Sequence, residues 1–170
     1  MWKSIWKKVK DQRGFTLVEL LVVIAIIGIL AAIILPSAFN AIEKSKVVAA
    51  EADYKSIKAA TMNFYADIGK WPEDNADGTD PGLVSNPFDE DNDPEYKHWN
   101  GPYLDRWPTK NPWGGKYTFK NDGSERYLEL DSVPEKAANS METDLGDDIV
   151  KVEETGSSNT YTVKITISKD

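Results

Sequence analysis

An α+β fold is predicted by this sequence: one long N-terminal helix, membrane-spanning in its first half and amphipathic in its second, packed on a C-terminal antiparallel sheet of about four strands. Three observations predict it. Residues 20–35 are sixteen in a row without a polar side chain. An apolar pattern of helical period runs on from there to a Gly69 and Pro72 stop. Residues 116–170 alternate apolar and polar positions between turn formers. At 170 residues the chain has room for one core, because domains commonly run to about 100–200 residues.

The first element, residues 1–14, is read as a leader. It carries Lys3, Lys7, Lys8, Lys10 and Arg13 against Asp11, a net charge of +4. Residues 43–170 hold fifteen basic and twenty-six acidic groups, net −11, and with Glu19 the whole chain comes to −8. So acidic a globular part leaves nucleic acid out of the expected partners, since nonspecific binding rests on cations that neutralise phosphates. No cysteine is present, which excludes a disulfide framework, thiolate metal sites and a thiol nucleophile.

The second element is residues 15–39. Phe15 to Val18 and Pro36 to Phe39 extend the apolar run to the length of about 17–25 residues that a membrane-spanning helix needs. Glu19 is the one charge inside it. The basic cluster just before the span keeps that end cytoplasmic, giving a single-pass, N-in/C-out topology. A secretory signal would place its cut after the apolar run, where the small residues Ala31, Ala32, Ser37 and Ala38 lie. The alternative places the cut before it.

The order Arg13, Gly14, Phe15, Thr16, Leu17, Val18, Glu19, Leu20, followed by the apolar run, resembles the class III signal of type IV prepilins and type II secretion pseudopilins. The matching stretch covers the first quarter of the chain. The resemblance implies a bacterial inner-membrane protein cut after Gly14 by a prepilin peptidase, with methylation of the new N-terminal residue, Phe15. It implies a role for Glu19 as well, since an intramembrane charge needs a partner: pairing with the free amine of a neighbouring copy to set the register of assembly. An α-amino group stays charged below roughly pH 8, so such a pair is physically sound, and cleavage is what creates the amine. The expected partners are copies of the chain in a helical filament, the peptidase and the inner-membrane assembly machinery. The filament is either a surface pilus, taken as the main reading, or the periplasmic pseudopilus of a type II secretion system, as its alternative.

Residues 40–69 continue the helix, with Ile42, Ala49, Ile57, Ala60 and Phe64 assigned to its apolar face. A helix from residue 15 to 68 would be about 80 Å long. Gly28 and Pro36 interrupt it, and Pro36 is the expected kink because it lacks a backbone donor; the resemblance implies local unwinding near it in some filaments. Residues 70–115, rich in Gly, Pro, Asp, Asn and Trp, read as a loop. Within it Gly101, Pro102, Tyr103 and Pro112, Trp113, Gly114 resemble signatures of the major pseudopilin and related pilins, and their rings are expected to cover the core.

Residues 116–170 supply the strands: 116–120 and 126–131 about an Asn121, Asp122, Gly123 turn, then 148–153 and a last strand from Thr160. A short helix from Pro134 to about Met141 separates the two pairs. With the long helix, this is the pilin architecture that the resemblance implies.

Two acidic clusters, Asp74, Asp77, Asp80, Asp89, Glu90, Asp91 and Asp93, then Glu142, Asp144, Asp147 and Asp148, have the oxygen chemistry that calcium favours. Neither has EF-hand spacing, so no metal ligand is assigned. The resemblance makes calcium the one candidate cofactor, because major pseudopilins bind it in a C-terminal loop. His98 is the one histidine and has no nucleophile motif near it. No catalytic residue is assigned, and the chain is not read as an enzyme.

Overall fold

A computed structural model of the protein describes residues 14–75, 78–155 and 160–169. The basic residues of the leader, Asp77, and residues 156–159 between the last two expected strands lie outside the described residues. The chain divides into two units at Ala41/Ile42.

The first unit holds the start of helix α1, which runs Leu17–Ile68. From Gly14 through Ile42 every described side chain is exposed. Large apolar groups such as Leu20, Ile24, Ile27, Leu30 and Ile34 are each more than half exposed. The helix starts on a reciprocal cap. The Glu19 backbone N–H donates to Thr16 Oγ1 at 3.2 Å, while Thr16 donates to the Glu19 carboxylate through its backbone N–H and its hydroxyl, both at 2.8 Å. The T-x-x-E spacing therefore forms a capping box, satisfying donors that a helix start otherwise leaves orphaned. Helical backbone continues through Gly28 and Pro36.

The second unit is built on the remainder of α1. Its buried face is Val47, Ala50, Tyr54, Ile57, Ala60, Thr61 and Phe64, a three-to-four spacing that keeps one stripe turned to the core. Ile42 and Ala49 are exposed, contrary to the sequence assignment. They lie on the flank of the stripe, where composition alone does not separate a core alanine from an outward one. The helix ends at Ile68, and Gly69 follows with φ 76°, its N–H donating to Tyr65 O at 2.8 Å. A left-handed residue after the last turn is the common helix stop.

Four strands form one antiparallel sheet in the order β1-β2-β4-β3: β1 Tyr117–Asn121, β2 Glu125–Pro134, β3 Val150–Glu154 and β4 Thr160–Lys169. Register places Phe119 opposite Leu128, Leu128 opposite Ile165, and Ile165 opposite Val150. One apolar row therefore crosses all four strands, each of its members buried, and it joins the α1 stripe in a single core. β2 extends three residues beyond the predicted end at Asp131. Ser132 takes φ 58° at a register shift between Leu130 and Val133. The extra residue of that bulge resets the pleat, so that Val133 points inward after Leu128 and Leu130 although the spacing is odd.

Helix α2, Glu135–Leu145, crosses from β2 to β3 and buries Ala137, Ala138 and Met141. It runs a turn past the expected end at Met141 and stops at Gly146, φ 97°. Among the described residues of 70–115 there is one 3-10 turn, Pro94–His98, and the rest is held by backbone and side-chain hydrogen bonds. Asn75 shields the outer edge of β1: its N–H donates to Phe119 O at 3.1 Å and its side-chain oxygen accepts from Phe119 N–H. That covers an edge which would otherwise offer unpaired groups to another chain.

Candidate functional site

Gly14, Phe15 and Glu19 fall at the start of the described chain. Phe15 is 93 % exposed, and Gly14 lies just before the helix with open space where a Cβ would be. Glu19 is two residues into α1, with its carboxylate turned back on Thr16. The T-x-x-E capping signal was present in the sequence, but there the glutamate was assigned only to a neighbouring copy. Beyond it the helix has mean hydropathy 3.1 over its most apolar window, long and apolar enough to cross a membrane. Pro36 lies within this stretch, where its ring removes one i→i−4 donor from the helix.

In the second unit the two pseudopilin-like signatures fasten the loop to α1. Trp113 donates its indole N–H to the Glu43 carboxylate at 3.0 Å, and Lys46 adds an ion pair at 3.2 Å. Glu43 is held below the ordinary carboxylate range, first by the Trp113 bond and then by Lys46 and Lys136, against the opposing effect of burial. Tyr103 donates to Asp67 at 2.9 Å and packs edge-on against both Phe64 and Trp99. Between the signatures Asn111 is 4 % exposed and organises the turn: its side-chain oxygen accepts from Trp113 N–H at 3.0 Å and Gly115 N–H at 3.1 Å, and its amide donates to Asp131 O at 2.7 Å. A Cβ at Gly115 would overlap the Asp131 carboxylate and carbonyl. Gly115→Ala is therefore expected to lower stability by about 1–3 kcal/mol, the usual range for overpacking, read as a fall in the thermal midpoint.

Tyr117 is fully buried and donates to Asp53 at 2.8 Å. Burial, reinforced by Asp53, pushes its phenol far above the ordinary tyrosine value. A group whose folded-state pKa is raised contributes stability that is complete below its unfolded value and is lost above it. The domain is therefore expected to lose stability as pH rises beyond about 10. Equilibrium unfolding against pH should show a smaller alkaline loss in Tyr117→Phe than in the parent chain.

The acidic loop residues serve the backbone. The Asp80 carboxylate accepts from the N–H groups of Leu83, Val84 and Ser85, and Asp89 Oδ1 accepts from Asp91 and Asn92. Among the described residues no three His, Asp or Glu side chains come together to hold a metal ion. No calcium ligand is therefore assigned among the described residues. His98 is exposed.

Comparison with known proteins gives a consistent picture over the helix and part of the globular unit. Residues 9–35 match the model of the prokaryotic N-terminal methylation motif, and residues 41–134 match that of the PilW C-terminal family. A type II secretion system core protein G of Pseudomonas aeruginosa is 34% identical over 125 residues, 73% of this chain and 84% of that protein. A type IV major pilin of Neisseria gonorrhoeae is 44% identical over 78 residues, 46% of each chain. Among solved structures the major type IV pilin PilA1 from Clostridium difficile superposes with TM-score 0.51 at 23% identity, covering 76% of this chain and 98% of that one. That likeness concerns the fold, a long N-terminal helix with a four-stranded antiparallel sheet. With its methylation motif, its exposed apolar helix and relatives spanning most of its length, the chain belongs to the type IV pilin and type II secretion pseudopilin family, whose members are structural, non-enzymatic proteins.

Proposed function

We propose that this subunit is the major pseudopilin of a type II secretion system, the alternative rather than the main reading of the sequence. One observation carries the choice. The likeness to core protein G covers 73% of this chain and 84% of that protein's length, whereas the likeness to the gonococcal pilin covers 46% of each. The Tyr103 and Trp113 contacts, which tie the signature-bearing loop to α1, give those motifs a structural task in this chain. A surface pilus remains the second reading, supported by the pilin-like fold.

Family membership implies processing by a prepilin peptidase and assembly into a filament. The apolar helix is consistent with anchoring in the inner membrane before assembly. In the proposed sequence of events, residues 1–14 are removed after Gly14, Phe15 is methylated, and residues 15–39 pass from bilayer to filament core. Glu19 pairs with a neighbour's amine, and Pro36 gives the helix a point at which to bend or unwind.

The test is mass spectrometry of two fractions, fibres sheared from the cell surface and washed membranes. A processed chain beginning at methylated Phe15 that stays with the membranes supports the pseudopilin. The same chain concentrated in sheared fibres would replace it with the surface pilin.

A further inference from the structure

Nine asparagines lie among the described residues, and the fold leaves one of them open to attack by its own backbone. Asparagine is thermolabile because the N–H nitrogen of the following residue can attack its side-chain carbonyl carbon. The attack needs a free side-chain amide, a following N–H that is not hydrogen-bonded, and a next residue small enough to bring the two together. Asn40, Asn63 and Asn139 sit within α1 and α2, where the next N–H belongs to the helix ladder. Asn86 and Asn111 precede Pro87 and Pro112, which have no N–H. Asn75 is buried, and its side chain is bonded to Thr79 O and the Phe119 N–H. Asn92 donates to Asp89 Oδ1 at 2.9 Å, and the next N–H, of Asp93, donates to Asp89 O at 3.0 Å. Asn121 donates to Pro72 O at 3.0 Å, and the next N–H, of Asp122, donates to Glu125 O at 3.2 Å.

Asn100 meets all three conditions. It is exposed, and its side-chain amide has no hydrogen bond to any described residue. The Gly101 N–H has none either. No other asparagine of the chain is followed by glycine, whose missing Cβ lets the backbone reach conformations closed to other residues. That glycine is fixed by its surroundings, since a Cβ there would overlap the Trp99 ring. The turn is held from both sides: the Asn100 N–H donates to the Tyr103 hydroxyl at 2.9 Å, and Trp99 donates its indole N–H to Gly82 O at 3.0 Å. The pair is thus kept at the surface with its reacting groups free.

We propose that Asn100 and Gly101 form a site of spontaneous deamidation in the folded subunit. The Gly101 nitrogen bonds to Asn100 Cγ, the Cγ–Nδ2 bond breaks, and the Gly101 proton leaves with that nitrogen as ammonia, giving a cyclic imide. Water from solvent then adds at either imide carbonyl. Opening at Cγ leaves aspartate. Opening at the main-chain carbonyl leaves isoaspartate, in which Cβ has become part of the main chain. Either product adds a negative charge close to the Tyr103 to Asp67 bond that ties the loop to α1, and isoaspartate also lengthens the backbone between the Tyr103-bonded N–H and Gly101. Ammonia is lost to solvent, so the change accumulates with the age of the subunit and loosens that tie.

The test holds the full-length chain, purified in detergent micelles, in mildly alkaline buffer made with heavy-oxygen water, and follows each asparagine by peptide mass spectrometry. Asn100 is expected to convert about tenfold or more faster than any other described asparagine, because only its neighbour lacks a Cβ. Its products should carry heavy oxygen and separate into aspartate and isoaspartate forms. Comparable conversion at another of the nine, or conversion of Asn100 only after denaturation, would overturn the site. Aspartate without isoaspartate would mean direct hydrolysis and would remove the role given to Gly101. Asn100→Gln supplies the second measurement, since the position is exposed and near-UV circular dichroism can verify the fold. After the same incubation the parent chain is expected to show a lowered thermal midpoint and the glutamine variant to keep its own. Equal midpoint changes in the two chains would refute the loosening of the Tyr103 tie.

Discussion

Replacing Gly14 with valine is expected to leave the leader attached and to abolish filaments, while the protein still folds and enters the membrane. A Cβ at Gly14 meets no described atom within 4 Å, so the substitution creates no clash with the described residues. The loss must then come from what acts on Gly14 from outside. An enzyme that cuts next to glycine can draw the backbone close because no side chain intervenes, and a branched residue denies that approach. Two consequences follow from retention. Phe15 keeps an amide where processing would make a charged amine, so Glu19 lacks its proposed partner. The leader also keeps its net +4 at the membrane face, and each such charge costs a few kcal/mol to draw into a bilayer centre. Intact-mass measurement on purified membranes should show a single species fourteen residues longer than the mature chain, with no detectable fibre. Normal filaments assembled from chains that still carry residues 1–14 would sink the assignment of the cut.

What the sequence revealed follows the range of the interactions involved. The span, the Gly69 stop and strand β4 were legible because each is a pattern of near neighbours. In β4, Val163, Ile165 and Ile167 are buried while the residues between them are not, as a period of two requires. The strand order was hidden because β4 pairs with its chain neighbour β3 on one side and inserts beside β2 on the other, through contacts more than thirty residues apart such as Leu130 with Val163. The end of β2 was misjudged because a bulge at Ser132 breaks the alternation from which strands are read. On α1 Ile57, Ala60 and Phe64 lie on the buried face as assigned, and Ile42 and Ala49 do not. Ile42 is apolar by composition, but the core is reached by Val47, Ala50 and Tyr54, and phase is set by the sheet that the helix meets. The loop over 70–115 was legible only as a loop. Its order comes from Asn75, Asp80 and Asn111 bonding to backbone groups, and a composition rich in Asn and Asp does not say which N–H each will find. At the candidate site, the methylation motif was recognisable because it is a contiguous run of near neighbours. Trp113 and Glu43 meet across seventy positions, and nothing in either neighbourhood announces the pair.

Glu19→Ala is expected to leave a processed protein in the membrane that cannot assemble, and Glu19→Gln separates the two reasons why it might fail. In the structure the carboxylate accepts from the N–H and hydroxyl of Thr16, both at 2.8 Å. Alanine therefore removes a helix cap, worth about 0.5–2 kcal/mol at such positions, as well as the charge. It also lifts the cost of an intramembrane carboxylate, so membrane retention should not suffer. Glutamine keeps an acceptor at the same position in the capping box and gives up only the charge. If the cap is what assembly needs, the glutamine chain forms filaments and the alanine chain does not. If Glu19 answers the amine of a neighbouring Phe15, both fail, because that amine carries its positive charge below roughly pH 8 and would be left unpaired in an apolar helix bundle. An unpaired buried charge costs about 3–5 kcal/mol per broken pair, enough to lower a subunit-addition constant by more than a hundredfold at every step. Filament yield by electron microscopy, with the processed mass verified for each variant, reads the difference, and failure of both variants is the expected result. Wild-type yields from Glu19→Gln would leave Glu19 as a helix cap and require another partner for the amine.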